Sequence, residues 1–375
     1  MRLAIHAGTL RGFGSGIVGR AILDGLRHAE GVDALLALVP TEWPDEALTQ
    51  APDAQGTSLT IHRLAPGFRA KLLGENLTLR RLLKAWKADA LLSLTDTSLI
   101  GCPVPHVLMV QQAFVAYPPE RITFALPTHT RRRFKAMSLY MRLGLRDVDL
   151  VSVQSAHMKE AFCARWGFPA ERVTVIPSTV QPAARKFAQG PLTSPDSPPY
   201  LAYVSGPGPH KNHAVLAPMM AALRLTHPAL RCLVTVQPEA VPELVDAARD
   251  LSVYDRFEFA GSLVAEEAMA RLSQASVAVL PSRIESFGIP YHEALALGIP
   301  AVAADVPCAR EALGTSGSYA PTDDGALWAE RVREVLAHQA VRAQAARAQF
   351  AATTWSWADI AQAYAAMAQD AIGRR

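Results

Sequence analysis

Cysteine is scarce and scattered. Cys102, Cys163, Cys232 and Cys308 stand far apart, with no CxxC spacing. That excludes a cysteine-based zinc site and points to a reducing compartment rather than a disulfide scaffold. Long apolar runs are also lacking. No stretch of 18 apolar residues occurs, so a spanning helix is not expected. Aromatic content is modest, at 7%. No spacing among the His, Asp and Glu residues suggests a metal site, and there is no short internal repeat and no long disordered tract.

What is present is a long, apolar chain: 375 residues, half of them hydrophobic. That is too much for one ordinary core, so two domains are expected. Met1–Gly8 carries one basic residue and a short apolar stretch, and reads as a first strand rather than a signal peptide. The expected location is therefore cytoplasmic, with contact at the inner face of a membrane left open. The net charge of +3 hides an asymmetry: 21 Lys/Arg face 15 Asp/Glu up to Pro182, and 16 face 19 beyond it. A basic first half suits an anionic acceptor or membrane surface, and equally an ordinary solvated surface.

Short apolar runs alternate with helical patterns. The expected strands are Leu3–His6, Ala34–Val39, Ala90–Leu94, His106–Val110, Leu150–Val153 and Val173–Ile176, then Tyr200–Val204, Cys232–Val236, Arg256–Phe259, Val277–Leu280 and Ala301–Ala304. Amphipathic stretches between them include Ile17–Ala29, Ala156–Trp166, Asn212–Thr226 and His292–Leu297. Such alternation predicts parallel sheets covered by helices on both faces. A turn-rich break near Ala183–Pro199 divides the chain. The expected organisation is a Rossmann-like domain over 1–182, a linker over 183–199, a second Rossmann-like domain over 200–354, and a terminal helix over 355–375 that packs back on the first. Two such domains place the carboxyl ends of both sheets around one cleft, where open α/β sheets bind ligands.

The chemistry concentrates in Pro281-Ser282-Arg283-Ile284-Glu285-Ser286-Phe287-Gly288-Ile289-Pro290-Tyr291-His292-Glu293-Ala294-Leu295-Ala296-Leu297-Gly298-Ile299-Pro300. It follows an expected strand and opens a helix. Gly288 allows close backbone approach, and free N–H groups ahead of a helix cradle phosphate. A carboxylate such as Glu293 can take two ribose hydroxyls.

This stretch resembles the EX7E signature of the retaining glycosyltransferase family 4, and nearly every position matches. The resemblance extends to Tyr203–His213, with Lys211-Asn212 closing the loop, to Asp149–Glu160 and Glu171–Pro177, and downstream to Asp305–Glu311 and Trp355-Ser356-Trp357. It covers the chain from about Asp147 onward and is thin before that. It implies a GT-B fold, an α/β architecture of two Rossmann-like parallel-sheet domains facing a central cleft. It also implies transfer of a hexose-type sugar from a nucleotide diphosphate sugar, with retention and without a metal or other cofactor. Lys211 would neutralise the diphosphate and Glu285 would hold sugar hydroxyls, these two being the catalytic candidates. Ser286, Phe287, Gly288 and Glu293 would complete the donor site. The acceptor would be a glycan or a lipid-linked sugar, and no nucleic acid is expected.

Some positions depart from the family pattern. A second cation often lies about six residues before the lysine; here that place is near Ser205, leaving Lys211 with His210 beside it. Where a histidine usually contacts the donor sugar, the chain reads Val110-Gln111-Gln112, so Gln111 or Gln112 is the candidate in its place. Arg11–Gly19 contains a literal GxGxxG at Gly14, Gly16 and Gly19, read as a glycine-rich loop contributing Gly14 and Gly16 to the donor site; a lone match is weak. Arg121–Arg146 holds seven basic residues interleaved with apolar ones. It is expected to form a basic amphipathic helix, either lying on an anionic bilayer or presenting a solvated basic face. His129 beside it is an acceptor-site candidate. The rival readings are another GT-B enzyme, such as a sugar-nucleotide epimerase or a phosphorylase, a dinucleotide oxidoreductase resting on the three glycines, and a sugar-binding protein without catalysis.

Overall fold

The structure is a computed structural model that describes residues 1–10, 13–44, 57–64, 76–122, 124, 126–188, 199–352 and 355–375. The chain divides into two compact units, Met1–Ser178 with Trp355–Arg375, and Thr179–Thr354.

The first unit begins with β1 (Arg2–His6), α1 (Phe13–Leu26), β2 (Ala34–Pro40), β3 (Ser58–Leu64), α2 (Asn76–Trp86), β4 (Ala90–Ser93) and β5 (His106–Val110). It continues with α3 (Ala113–Ala116), α4 (Thr128–Gly144), β6 (Leu150–Val153), α5 (Ala156–Trp166) and β7 (Val173–Val175). Seven parallel strands form one sheet in the order β3-β2-β1-β4-β5-β6-β7. Its inner strands are largely apolar and buried, as in Ala34–Pro40, where every residue is buried, because helices cover both faces of a parallel sheet.

The second unit runs through α6 (Pro182–Phe187), β8 (Tyr200–Tyr203), α7 (Leu216–Leu223), β9 (Arg231–Val234), α8 (Pro242–Asp250), β10 (Phe257–Phe259) and α9 (Ala265–Ser273). Then come β11 (Val277–Leu280), α10 (Ile289–Leu297), β12 (Ala301–Ala304), α11 (Pro307–Leu313), β13 (Ser318–Ala320), α12 (Gly325–Ala337) and α13 (Gln339–Ala351). Its six parallel strands lie in the order β10-β9-β8-β11-β12-β13. Trp328, fully buried, ties α12 to the loop after β13 through Nε1–H to the Pro321 carbonyl at 2.7 Å.

The last helix, α14 (Trp357–Gly373), belongs to the first unit. It starts with a reciprocal cap: the Ser356 hydroxyl accepts from the Asp359 N–H at 3.2 Å, and the Asp359 carboxylate accepts from the Ser356 N–H at 2.8 Å. Gly25 of α1 lets it approach closely, since a Cβ there would stand 2.6 Å from that of Ala361. The Ser152 hydroxyl donates to Tyr364 OH at 3.1 Å beneath it, and Arg375 pairs with Asp149.

Two expectations change. The unit boundary falls at Ser178–Thr179, and residues 183–187 of the expected linker lie in the helix Pro182–Phe187, with Ala184 fully buried in the second core. Residues 189–198 of the expected linker lie outside the described residues. Two strands, β3 and β13, were not expected. Both are sheet edges, and Ser58–Leu64 carries no continuous apolar run because it is partly exposed along its length.

Candidate active site

In the second sheet the strand order reverses between β8 and β11. Loops leaving the carboxyl ends of such neighbours diverge and open a crevice. Those two loops carry Lys211 and Glu285.

Tyr203 closes β8 with its ring fully buried. Its hydroxyl donates to the Lys211 carbonyl at 2.9 Å and shares a 3.0 Å hydrogen bond with Ser282 Oγ. One strand-end residue thus fastens both loops. The Lys211 N–H donates to the Gly208 carbonyl at 2.9 Å, and the Arg283 N–H to the His210 carbonyl at 2.7 Å.

Lys211 Nζ lies 2.5 Å from Glu285 Oε1, with side chains only 16% and 14% exposed. Burial alone would raise the Glu285 carboxyl, but the lysine beside it outweighs that and holds it below its usual value. Burial alone would lower Lys211, and Glu285 reverses that, leaving it raised. Both are ionised at neutral pH. The two histidines flanking this lysine stay neutral there: burial, then the Lys211 charge, pushes His210 and His213 each down to about 4.

The helix behind the loop begins at Gly288, whose φ of 75° is left-handed. A Cβ at this position would meet the buried Tyr291 ring at 2.2 Å, so no other residue fits without rebuilding the turn. Pro290 then sits where a helix start tolerates it, and the positive end of α10 faces back toward the Glu285 loop. Glu293 stands one turn further in, 4% exposed, with no ion-pair or hydrogen-bond partner among the described residues. Burial pushes its carboxyl up to about 7, with the Lys211 charge opposing. Two glutamates eight positions apart are therefore pushed in opposite directions: Glu285 is paired and held ionised, while burial pushes Glu293, without a partner among the described residues, toward its protonated form.

Phe287 is not an open aromatic surface. Its ring stacks on His292, centroids 4.0 Å apart and planes 4° apart, and it is 7% exposed. Any ligand contact from this residue comes from its main chain. Ser286 lies between, in the loop.

The remaining candidates belong to the first unit. Gly14 and Gly16 are not in a loop: they occupy the first turn of α1. A dinucleotide fingerprint needs its first glycine in the tight turn between strand and helix, so this match does not have that geometry. Gly19 serves packing instead, since a Cβ there would collide with Leu10 Cδ1 at 2.4 Å. The Gln111 and Gln112 N–H groups both donate to Asp96 Oδ1, at 2.6 and 2.7 Å, and the Gln111 side-chain amide donates to the Leu94 carbonyl at 3.0 Å. Gln111 is thus partly committed to holding its own loop. His129 is exposed, near the start of α4. Arg131, Arg132, Arg133 and Lys135 are exposed along that helix, as are Leu139 at 62% and Leu143 at 50%. Among the described residues no helix is long and apolar enough to cross a membrane, and no three His, Cys, Asp or Glu side chains are grouped to hold a metal ion.

Sequence reasoning gave no role to Tyr203, Asn212, Ser282 or Arg283. Only the ending of a strand on a buried tyrosine could have singled out the first.

Two doubly wound parallel-sheet units, with the Lys211 and Glu285 loops at the switch point of the second, have the strand arrangement of a GT-B fold. Solved structures share it over almost the whole chain: sucrose-phosphate synthase from Thermosynechococcus elongatus at TM-score 0.72 and 18% identity, covering 100% of both chains, and HepE of Anabaena, solved with UDP and glucose, at TM-score 0.70 and 17% identity, covering 98% of both. The model of glycosyl transferases group 1 matches residues 184–351, and that of glycosyltransferase family 4 matches residues 28–184. Together the two models span residues 28–351, so both units are similar to family 4 glycosyltransferases. Among curated relatives, glycogen synthase of Mycobacterium tuberculosis H37Rv is 34% identical over 229 residues, 59% of this chain and 54% of that protein. The chain spans about half the length of the curated relatives it matches.

Proposed function

We propose that this protein moves a glycosyl group from a nucleotide diphosphate sugar to an acceptor hydroxyl, with retention and without a metal ion. The observation that carries the reading is the buried Lys211–Glu285 pair at the sheet's switch point, with Glu293 on the helix behind it. HepE, which shares the fold, was solved with UDP and glucose.

In this reading the acceptor oxygen bonds to the anomeric carbon on the face that the departing phosphate leaves. The carbon–oxygen bond to the diphosphate breaks, and a phosphate oxygen takes the acceptor proton. Lys211 and the N-terminus of α10 stabilise the negative charge that grows on the leaving group. Glu285 orients sugar hydroxyls and Glu293 accepts from the ribose. The ligand-free ion pair gives donor binding an order: phosphate oxygens draw Lys211 away and release the Glu285 carboxylate for the sugar. The first unit would hold the acceptor, a glycan or a lipid-linked sugar, with Gln111, Gln112 and His129 as candidate contacts and Gly14 and Gly16 near the donor. The exposed basic helix α4, with Leu139 and Leu143, would rest on an anionic membrane at the cytoplasmic face.

A melting-temperature screen of GDP-, UDP-, ADP- and dTDP-sugars tests the class, because a ligand at 100 times its Kd stabilises by about 2.7 kcal/mol. One base should stand out, and transfer to an acceptor should follow with that donor. No shift with any of them would remove the reading. Activity is further expected to survive exhaustive EDTA, since Lys211 supplies the cationic charge. Complete loss restored by Mg²⁺ or Mn²⁺ would assign the leaving group to a metal instead.

A further inference from the structure

Lys211 is flanked by two residues that the same arginine holds. The Arg283 backbone N–H donates to the carbonyl of His210, just before the lysine, at 2.7 Å. Its guanidinium donates through Nη2 to Oδ1 of Asn212, just after the lysine, at 3.0 Å. The fork also pairs with Asp323, through Nη1 to Oδ2 at 3.3 Å and through Nη2 to Oδ1. Asn212 Nδ2 donates to the Thr322 carbonyl at 2.7 Å, and the Thr322 hydroxyl donates to Asp323 Oδ2 at 3.0 Å. Four side chains from the loops after β8, β11 and β13 thus close a ring of hydrogen bonds.

The ring explains an unusual backbone. Asn212 has φ of 53°, a left-handed conformation that non-glycine residues seldom adopt and asparagine tolerates best. Its 7% exposed side chain is held by an acceptor on one side and a donor on the other. The turn at Asn212 sets the direction in which the preceding Lys211 leaves the chain. Arg283 lies two positions before Glu285, so one residue links the loops of both members of the ion pair. A lysine could not replace it, because the contacts with Asn212 and Asp323 need a planar fork.

We propose that Arg283 is a positioning residue for Lys211, fixing the lysine's loop against the Glu285 loop from the far side of the ring. It acts through Lys211 and Asn212 rather than by touching the donor. This inference rests on the glycosyl-transfer reading given above.

The test is a double-mutant cycle with Lys211→Met and Arg283→Met, using the sugar nucleotide that gives the largest melting shift. Arg283→Met is expected to lower kcat about tenfold in the parent chain and less than about twofold in the Lys211→Met chain, because coupled residues are not additive. The Kd for the free nucleoside diphosphate should move less than about threefold by calorimetry. Arg283→Lys should rescue little, and Asp323→Asn, which removes only the exposed arm of the ring, should give a smaller loss of the same kind. That second variant and the lysine variant carry the cycle should Arg283→Met fail to fold. Equal losses in both backgrounds would overturn the inference. So would a fall in diphosphate affinity that persists in the Lys211→Met chain, which would place Arg283 on the phosphates itself. A lower melting temperature with unchanged kcat would leave the ring purely structural and overturn it as well. A parent chain with no turnover on any donor would overturn the functional reading beneath it, whereas turnover with an additive cycle overturns this inference alone.

Discussion

Lys211→Met is expected to lower turnover by roughly 30- to 1,000-fold, the equivalent of about 2–4 kcal/mol of transition-state stabilisation for one well-placed donor. The structure adds a second effect. Glu285 is 14% exposed and its charge is answered by Lys211, so removing the lysine leaves a carboxylate buried without its partner. Breaking a buried pair from one side costs up to about 3–5 kcal/mol of folding stability. The single variant therefore confounds chemistry with folding, and the double variant separates them. Lys211→Met with Glu285→Gln removes both charges at once, and should recover most of the melting temperature while turnover stays lost. Glu285→Gln alone frees the lysine from its internal carboxylate. It should bind free nucleoside diphosphate at least as well as the parent while transferring poorly. Thermal melts, calorimetry and steady-state rates on the four proteins decide it. Turnover of the Lys211→Met chain within about threefold of the parent would end the proposed role of this lysine. Recovery of both stability and turnover in the double variant would show that the pair serves the fold alone.

The sequence made the inner strands legible because parallel strands with helices on both faces are mostly apolar, as at Ala34–Pro40 and Val277–Leu280. Edge strands escape that test. Ser58–Leu64 pairs on one side only, and its mixed composition leaves no run to read; Ser318–Ala320 is three residues long. Glycine spacing is no better a guide to backbone. Gly14, Gly16 and Gly19 match a phosphate-loop pattern letter by letter, yet they lie along a helix where Gly19 makes room for Leu10 and Trp43. A motif records residue types, while the turn it needs is a property of the backbone. The glutamates of the EX7E stretch could be found by spacing, being eight apart in one strand–loop–helix. That Glu285 pairs with Lys211 could not. Lys211 and Glu285 are 74 positions apart, and the ring through Asn212, Arg283, Thr322 and Asp323 joins three loops that only the sheet order brings together. Local pattern places the chemistry in the sequence; the crossover at β8 and β11 decides which residues meet.

Glu293→Gln should make the ligand-free protein more stable and its nucleotide binding weaker, with both effects tied to pH. The carboxyl is 4% exposed, has no partner among the described residues, and is raised by burial to about 7 from an ordinary 4.5. A raised carboxyl means that the folded chain holds a proton the unfolded chain has released. Stability is therefore lost as pH climbs from about 4.5 to 7, and is constant above that. The accumulated cost at pH 8 is about 3 kcal/mol, at 1.36 kcal/mol per unit of displacement. Glutamine keeps the shape and carries no charge, so the variant should exceed the parent by less than about 1 kcal/mol near pH 5 and by about 3 kcal/mol at pH 8. A residue that destabilises the empty protein in this way is better explained by a ligand that supplies the missing donors. Two ribose hydroxyls would do so, and they favour the ionised carboxylate. Binding of the nucleoside diphosphate to the parent should then strengthen as pH rises toward 7, with a proton released on binding below that pH. In the glutamine variant the affinity should be lower and its pH dependence flat in this range, with kcat at saturation far less affected than KM. Chemical denaturation at pH 5 and pH 8, with calorimetry at the same two values, provides the measurement. Equal stability of variant and parent at pH 8 would show that Glu293 is not held against its burial. Intact nucleotide binding with a collapsed kcat would exchange its role with that of Glu285.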